Sequence, residues 1–291
     1  MASLIDLIKV LRDRTGAGLM DCKAALLANE EDVDKAADWL REKGLAKAAK
    51  KASRIAAEGL ALTKVCEKCG KTVIIEVNCE TDFVAKGDDF HALVDNVAGI
   101  ILKNDCKDVA EAKALSESLF ADATVKMGEK FDLRRFVILN KEEGTVMASY
   151  IHMGGKIAVV VKLNGGNEEL AKQIAMHVAA NNPSYIALSD VPADVREHER
   201  GIQLEAAKQD PKLASKPAEF LAKILDGKVN KFFSEQCLLA QPFLMDDSKT
   251  VEAVLKAAGA SVNTFVRYAV GEGIEKRVDD FASEVMKEVN K

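Results

Sequence analysis

Lys71-Thr72-Val73-Ile74-Ile75-Glu76-Val77 decides the fold, because Lys156-Ile157-Ala158-Val159-Val160-Val161-Lys162 repeats its pattern further along the chain. Each apolar run follows a Gly-Lys pair and reads as a strand. Each leads into an amphipathic helical pattern, marked by Phe90, Leu93, Val94 and Val97 in the first copy and by Leu170, Ile174 and Val178 in the second. A degenerate internal repeat of this kind predicts two similar α+β halves. The copies differ where strand becomes helix. The first has Asn78-Cys79-Glu80-Thr81-Asp82-Phe83-Val84-Ala85-Lys86-Gly87, the second the plainer Leu163-Asn164-Gly165-Gly166-Asn167. A feature present in one half only is not needed for the fold that both share.

Toward the N-terminus, Leu4, Leu7, Ile8 and Leu11 recur at helical spacing up to a break at Thr15-Gly16-Ala17-Gly18. A second helix is expected over Met20 to Leu27. Asn29 and Asp32 then signal a third, whose face carries Val33, Ala36, Ala37 and Leu40 and which stops near Gly44. Trp39, the single tryptophan, is expected in the seam of this bundle. Lys47, Lys50, Lys51 and Arg54 form a basic helical face, either a solvated linker or a contact for an acidic partner. Toward the C-terminus, residues 197–236 read as an inserted helical hairpin broken at Asp210-Pro211 and Pro217. Phe265 to Val270 alternate as a strand. Gly271-Glu272-Gly273 is a turn, and a terminal helix should carry Phe281 and Val285.

With 291 residues the chain has room for two or three domains with their own cores. A formal charge of −5 and 5% aromatics argue against a nucleic-acid binder, which needs a basic surface interleaved with stacking rings. The first residues, Met1-Ala2-Ser3-Leu4-Ile5-Asp6, show neither the charge nor the apolar run of a secretory signal, and no segment reads as a membrane span. The expectation is a cytoplasmic protein. Six irregularly spaced cysteines fit free or buried thiols in a reducing compartment better than a disulfide framework.

Searches for an active site give little. Gly70-Lys71-Thr72 lacks the leading glycine of a phosphate loop, since Val65 stands there, and it precedes a strand where such a loop needs a helix N-terminus. Cys66-Glu67-Lys68-Cys69 is half of a zinc knuckle with no second pair. Cys79 and His91 are possible completing ligands, and a hairpin turn containing two thiols is the plainer reading. A redox pair of the thioredoxin kind belongs between strand and helix, whereas this one enters a strand. The four histidines have no nucleophile signature near them, so no catalytic residue, cofactor or metal is assigned. His177 reads as a packed residue and His152, just before the second strand, as a surface contact. For Thr81-Asp82 the residues alone suggest a helix cap with Phe83 in the core.

Three segments resemble the elongation factor Ts family: Arg12-Asp13-Arg14-Thr15-Gly16-Ala17-Gly18-Leu19-Met20-Asp21-Cys22-Lys23-Ala24-Ala25-Leu26, Glu76-Val77-Asn78-Cys79-Glu80-Thr81-Asp82-Phe83-Val84-Ala85, and Ala175-Met176-His177-Val178-Ala179-Ala180. Gln241-Pro242-Phe243 and Val270-Gly271-Glu272-Gly273-Ile274 add to the match, which runs from about residue 3 to 286. The resemblance implies an α+β multidomain protein with an N-terminal three-helix module similar to ubiquitin-associated domains (1–54), a first core half (55–140), a second (141–196 and 237–270), an inserted hairpin (197–236) and a C-terminal helical module (271–291). It also implies a non-enzymatic guanine nucleotide exchange factor for elongation factor Tu. In that role Thr81, Asp82, Phe83 and Val84 enter the partner near its magnesium and nucleotide site, while Arg12, Leu19, Met20 and His152 make further contacts. Leu19 departs from the methionine frequent at that position. A chaperone-like scaffold that holds elongation factor Tu without exchange, and a zinc-dependent regulator built on Cys66 and Cys69, are the rival readings. The hairpin offers a surface for self-association or a two-to-two complex.

Overall fold

A computed structural model describes residues 3–210, 213 and 217–275. It divides into two units, the first drawn from residues 1–139, 153–157 and 268 onward, the second from 140–152 and 158–267.

In the first unit, α1 (Leu4–Thr15) begins with a capping box between Ser3 and Asp6 and ends at Gly16. After the short Gly16-Ala17-Gly18 link come α2 (Leu19–Ala28) and α3 (Val33–Lys51), the latter capped by the Asp32 carboxylate on the amides of Asp34 and Lys35 at 2.9 and 3.0 Å. Leu11, Cys22, Ala25, Leu26 and Leu40 fill the seam. Two expectations need correction here. Trp39 is only half-buried, packed on the edge of this cluster with Lys43 Nζ 4.0 Å from its ring centroid. Gly44 does not stop α3, which continues to Lys51. Its missing side chain instead lets α3 approach α6 (Val109–Met127), since a Cβ there would stand 2.7 Å from Val125 Cγ2 and 2.9 Å from the Ala121 carbonyl.

Strands β1 (Glu58–Cys66) and β2 (Lys71–Cys79) pair antiparallel, with Glu58 opposite Cys79 and Cys66 opposite Lys71. β3 (Asp132–Asn140) lies on the other side of β2, which is therefore central and buried from Thr72 to Cys79. The one-turn helix α4 (Asp82–Ala85) precedes α5 (Asp88–Asn104), whose Phe90, Leu93, Val94, Val97 and Ile101 cover the sheet. Each such burial stabilises by about 1.5–3 kcal/mol. Glu76, fully buried in β2, accepts from Arg134 Nη1 (3.0 Å), Arg135 Nε (2.6 Å) and the Gly271 amide (2.9 Å), so its charge is paired and fastens the Gly271 turn to the sheet.

The second unit repeats the plan. β4 (Thr145–His152), β5 (Ile157–Asn164) and β8 (Ser261–Ala269) form a sheet in the order β4-β5-β8. α7 (Glu168–Asn181), capped by Asn167, buries Leu170, Ile174 and Val178 as the repeat predicts. The inserted segment contains α8 (Ala193–Gln209) and α9 (Ala218–Ser234), packed on each other, with α8 starting earlier than its sequence signals suggest. A two-stranded ribbon, β6 (Pro242–Phe243) with β7 (Asp246–Thr250), and α10 (Val251–Ala257) follow. His177 is fully buried: the Leu244 amide donates to its Nδ1 at 3.1 Å, which leaves Nε2–H to donate to Gln241 Oε1 at 2.8 Å. Burial holds its imidazole below its ordinary pKa. The terminal helix expected around Phe281 and Val285 lies outside the described residues. Among the described residues no helix is long and apolar enough to cross a membrane.

Candidate partner-binding loop

β2 ends at Cys79 and α5 starts at Asp88, so the intervening residues must turn the chain. Thr81 caps the single turn of α4, its Oγ1 accepting from the Val84 amide at 3.4 Å. Cys79, Val84 and Ala85 turn inward onto the core of the first unit. Phe83 points the other way and is 84% exposed, the most exposed large hydrophobic side chain among the described residues. The expected cap is therefore present, but the companion reading that Phe83 enters the core is wrong. Leaving that ring in water forgoes the stabilisation its burial brings.

The turn is anchored from behind. The Glu129 carboxylate accepts from the amides of Glu80 (2.9 Å) and Thr81 (3.1 Å) and from the Thr81 hydroxyl (2.5 Å). Glu80 in turn accepts from the Lys130 amide (2.7 Å) and pairs with Arg54 (3.2 Å). Lys130 Nζ donates to the carbonyls of Ala52 and Arg54 at 2.7 and 2.8 Å. Asp82 bonds Lys86 at 2.6 Å one helical turn on, and that contact holds its carboxyl below the ordinary 3.8. The Cys79 thiol is pushed up to about 12, chiefly by burial and then by the nearby Glu129 and Glu58 carboxylates, so it is no nucleophile. Sequence reasoning missed Glu80, Glu129 and Lys130. Their bonds span separations of 48 to 50 residues, and no local pattern carries such pairings.

The other candidate contacts lie on the surface too. Arg12 is exposed near the end of α1, and Leu19 and Met20, 55% and 70% exposed, open α2. The first unit holds all three together with the loop. His152 belongs to the second unit, exposed at the end of β4, with Nδ1 3.1 Å from the Tyr150 hydroxyl.

Cys66 and Cys69 are bonded to each other across the β1–β2 turn, which corrects the expectation of free thiols there; Cys22, Cys79, Cys106 and Cys237 are free and buried. The hairpin turn itself is as the sequence suggests. Among the described residues no group of three or more His, Cys, Asp and Glu side chains is arranged to hold a metal ion, and Cys79 is not drawn toward the pair.

Residues 80–272 match the family model described as elongation factor TS. The chain is 48% identical to elongation factor Ts of Xanthomonas campestris pv. campestris (strain B100) over 289 residues, 97% of each chain. It is equally similar to elongation factor Ts of Xanthomonas axonopodis pv. citri (strain 306), with the same coverage. With nearly full-length similarity at this level, the chain belongs to the elongation factor Ts family, whose place is in the elongation phase of protein biosynthesis.

Proposed function

We propose that this protein is a guanine nucleotide exchange factor for elongation factor Tu, acting by protein binding in the cytoplasm and not by catalysing a covalent reaction. The observation that carries this reading is Phe83, an aromatic ring held 84% exposed on a one-turn helix that is tied down behind it. In this reading the three helices of residues 1–54 dock the partner through Arg12, Leu19 and Met20, and His152 adds a contact from the second core half. Phe83 enters as an apolar wedge, Val84 and the Thr81 cap hold the turn's shape, and Asp82 exchanges Lys86 for polar groups of the partner.

Magnesium bridges phosphate oxygens to protein ligands, so disturbing its support weakens the partner's hold on GDP. By linkage, whatever factor the protein takes from GDP affinity, GDP takes from the protein's affinity. Each tenfold requires about 1.4 kcal/mol. Burying one exposed phenyl ring supplies about 1.5–3 kcal/mol, so the wedge alone accounts for one to two such steps.

Stopped-flow release of a fluorescent GDP analogue from elongation factor Tu tests this. Substoichiometric protein should accelerate release, and Phe83→Ala should remove about 100-fold of the acceleration. Tight binding with no acceleration would instead favour a scaffold that merely holds elongation factor Tu.

A further inference from the structure

We propose that Glu129 is a positioning residue for the Thr81–Val84 turn: it fixes where the turn stands without touching the partner itself. The inference rests on the exchange reading above. Two successive amides, Glu80 and Thr81, converge on Glu129 Oε2, at 2.9 and 3.1 Å, while Oε1 takes the Thr81 hydroxyl at 2.5 Å. Hydrogen bonds to an ionised acceptor are the stronger kind, and successive amides aimed at one anion define both the place and the tilt of the peptide planes they belong to. Because the Thr81 hydroxyl donates its proton to Glu129, its lone pairs face the Val84 amide, and the cap inherits its direction from the carboxylate.

The grip is reciprocal. Glu129 holds the backbone of Glu80, and the next residue, Lys130, offers its own amide to the Glu80 carboxylate at 2.7 Å. Lys130 Nζ continues to the Ala52 and Arg54 carbonyls just past α3. Glu129 follows Gly128, the C-cap of α6, so it projects from the end of a packed helix. It fills no part of the apolar core, and removing it should loosen the turn while leaving the unit folded. At the matching junction of the second unit Asn167 caps α7 with its own amide oxygen, 2.9 Å from the Leu170 amide, and the chain carries no protruding aromatic there.

The test compares Glu129→Ala and Glu129→Gln with the unaltered protein in the fluorescent GDP-analogue assay across a range of protein concentrations. Loss of positioning should lower the maximal release rate of E129A about tenfold, with a half-saturating concentration within about threefold, because docking by the other surfaces is retained. E129Q should recover to within about threefold, since an amide oxygen accepts both backbone N–H groups and the amide nitrogen can donate to Thr81 Oγ1. Hydrogen exchange at the Glu80 and Thr81 amides, measured without partner, should speed up in E129A and far less in E129Q. Full release rates in E129A would overturn the proposal, as would equal losses in both variants that track a lowered melting temperature. If E129A fails to fold, Glu129→Asp, whose carboxylate is one methylene short, is read by the same rate and exchange criteria. Failure of the unaltered protein to accelerate release would sink the exchange reading alone, because amide exchange reports the grip independently.

Discussion

The two strand-to-helix junctions of the repeat start from the same plan and put their polar groups to opposite uses. After β2, the contacts of Glu129, Glu80, Lys130 and Arg54 brace a turn whose aromatic ring stands in solvent. After β5, the chain enters α7 directly, and the polar contacts of that helix, His177 with Gln241 and the Leu244 amide, close off a buried interior. Only the second arrangement buries its ring. The bonds of the first junction stabilise its turn, but the ring that turn carries stays 84% exposed and adds no burial of its own, which is what the proposed docking role accounts for.

The sharpest way to break this comparison is to remove one ring from each copy. His177→Ala leaves the Leu244 amide and the Gln241 oxygen without partners and opens a cavity, which should cost about 3 kcal/mol in denaturant unfolding. Phe83→Ala should change stability by less than about 0.5 kcal/mol, as exposed substitutions do. Exchange activity should follow the reverse order below the unfolding transition of His177→Ala. The pH dependence carries the same signature. His177 has a folded pKa depressed by burial, so the unfolded chain binds more protons as the pH falls below the ordinary 6.5. Its contribution is complete above that value and is lost on acidification toward the folded pKa. The lowered carboxylates Asp82 and Asp105, the latter at about 2, act only below their ordinary 3.8, so the two windows are separate. A thermal-stability profile from pH 7.5 to 5 that is as steep in His177→Gln as in the unaltered protein would show that some other group is responsible.

Much of this contrast is legible in the sequence, for reasons that can be named. The apolar runs beginning at Lys71 and Lys156 and the faces of α5 and α7 repeat at fixed periods, and period survives in one dimension. The breaks at Gly16 and Pro217 are likewise local. Gly44 is not legible, because a glycine that ends a helix and one that lets two helices touch look the same until the second helix is in place. The direction of Phe83 is hidden for a similar reason: a Thr-Asp cap is compatible with an inward or an outward residue next to it. Glu129 carries no signal at all, since its meaning comes from amides 48 and 49 residues away.

The caps themselves give a finer comparison. Asn167 starts a 14-residue helix packed on a sheet, so Asn167→Ala should cost about 1 kcal/mol of stability and leave exchange unchanged. Thr81 starts a helix of four residues, where little folding energy depends on the cap. Thr81→Ala should leave stability within about 0.5 kcal/mol yet slow exchange about fivefold, by freeing the turn that carries Phe83. Stability from denaturant melts and release rates from stopped flow check both; matching effects in the two variants would mean that the junctions do the same job after all.

The smallest difference is expected at the hairpin tips. β1 and β2 are joined by a turn closed by the Cys66–Cys69 bond, β4 and β5 by Met153-Gly154-Gly155 with no cysteine. Yet Gly70 (φ 62°, ψ 31°) and Gly154 (φ 61°, ψ 32°) hold the same left-handed conformation, which an L side chain rarely adopts. The turn is thus specified by its glycine and by the strands on either side, whose register already brings Cys66 opposite Lys71. A cross-link stabilises by restricting the unfolded chain, and one that closes so short a loop restricts it little. Replacing both cysteines by serine should therefore shift unfolding by no more than about 2 kcal/mol and leave GDP release unaltered. If the serine variant instead loses exchange while still folded, the tip of the first hairpin would join the proposed docking surface.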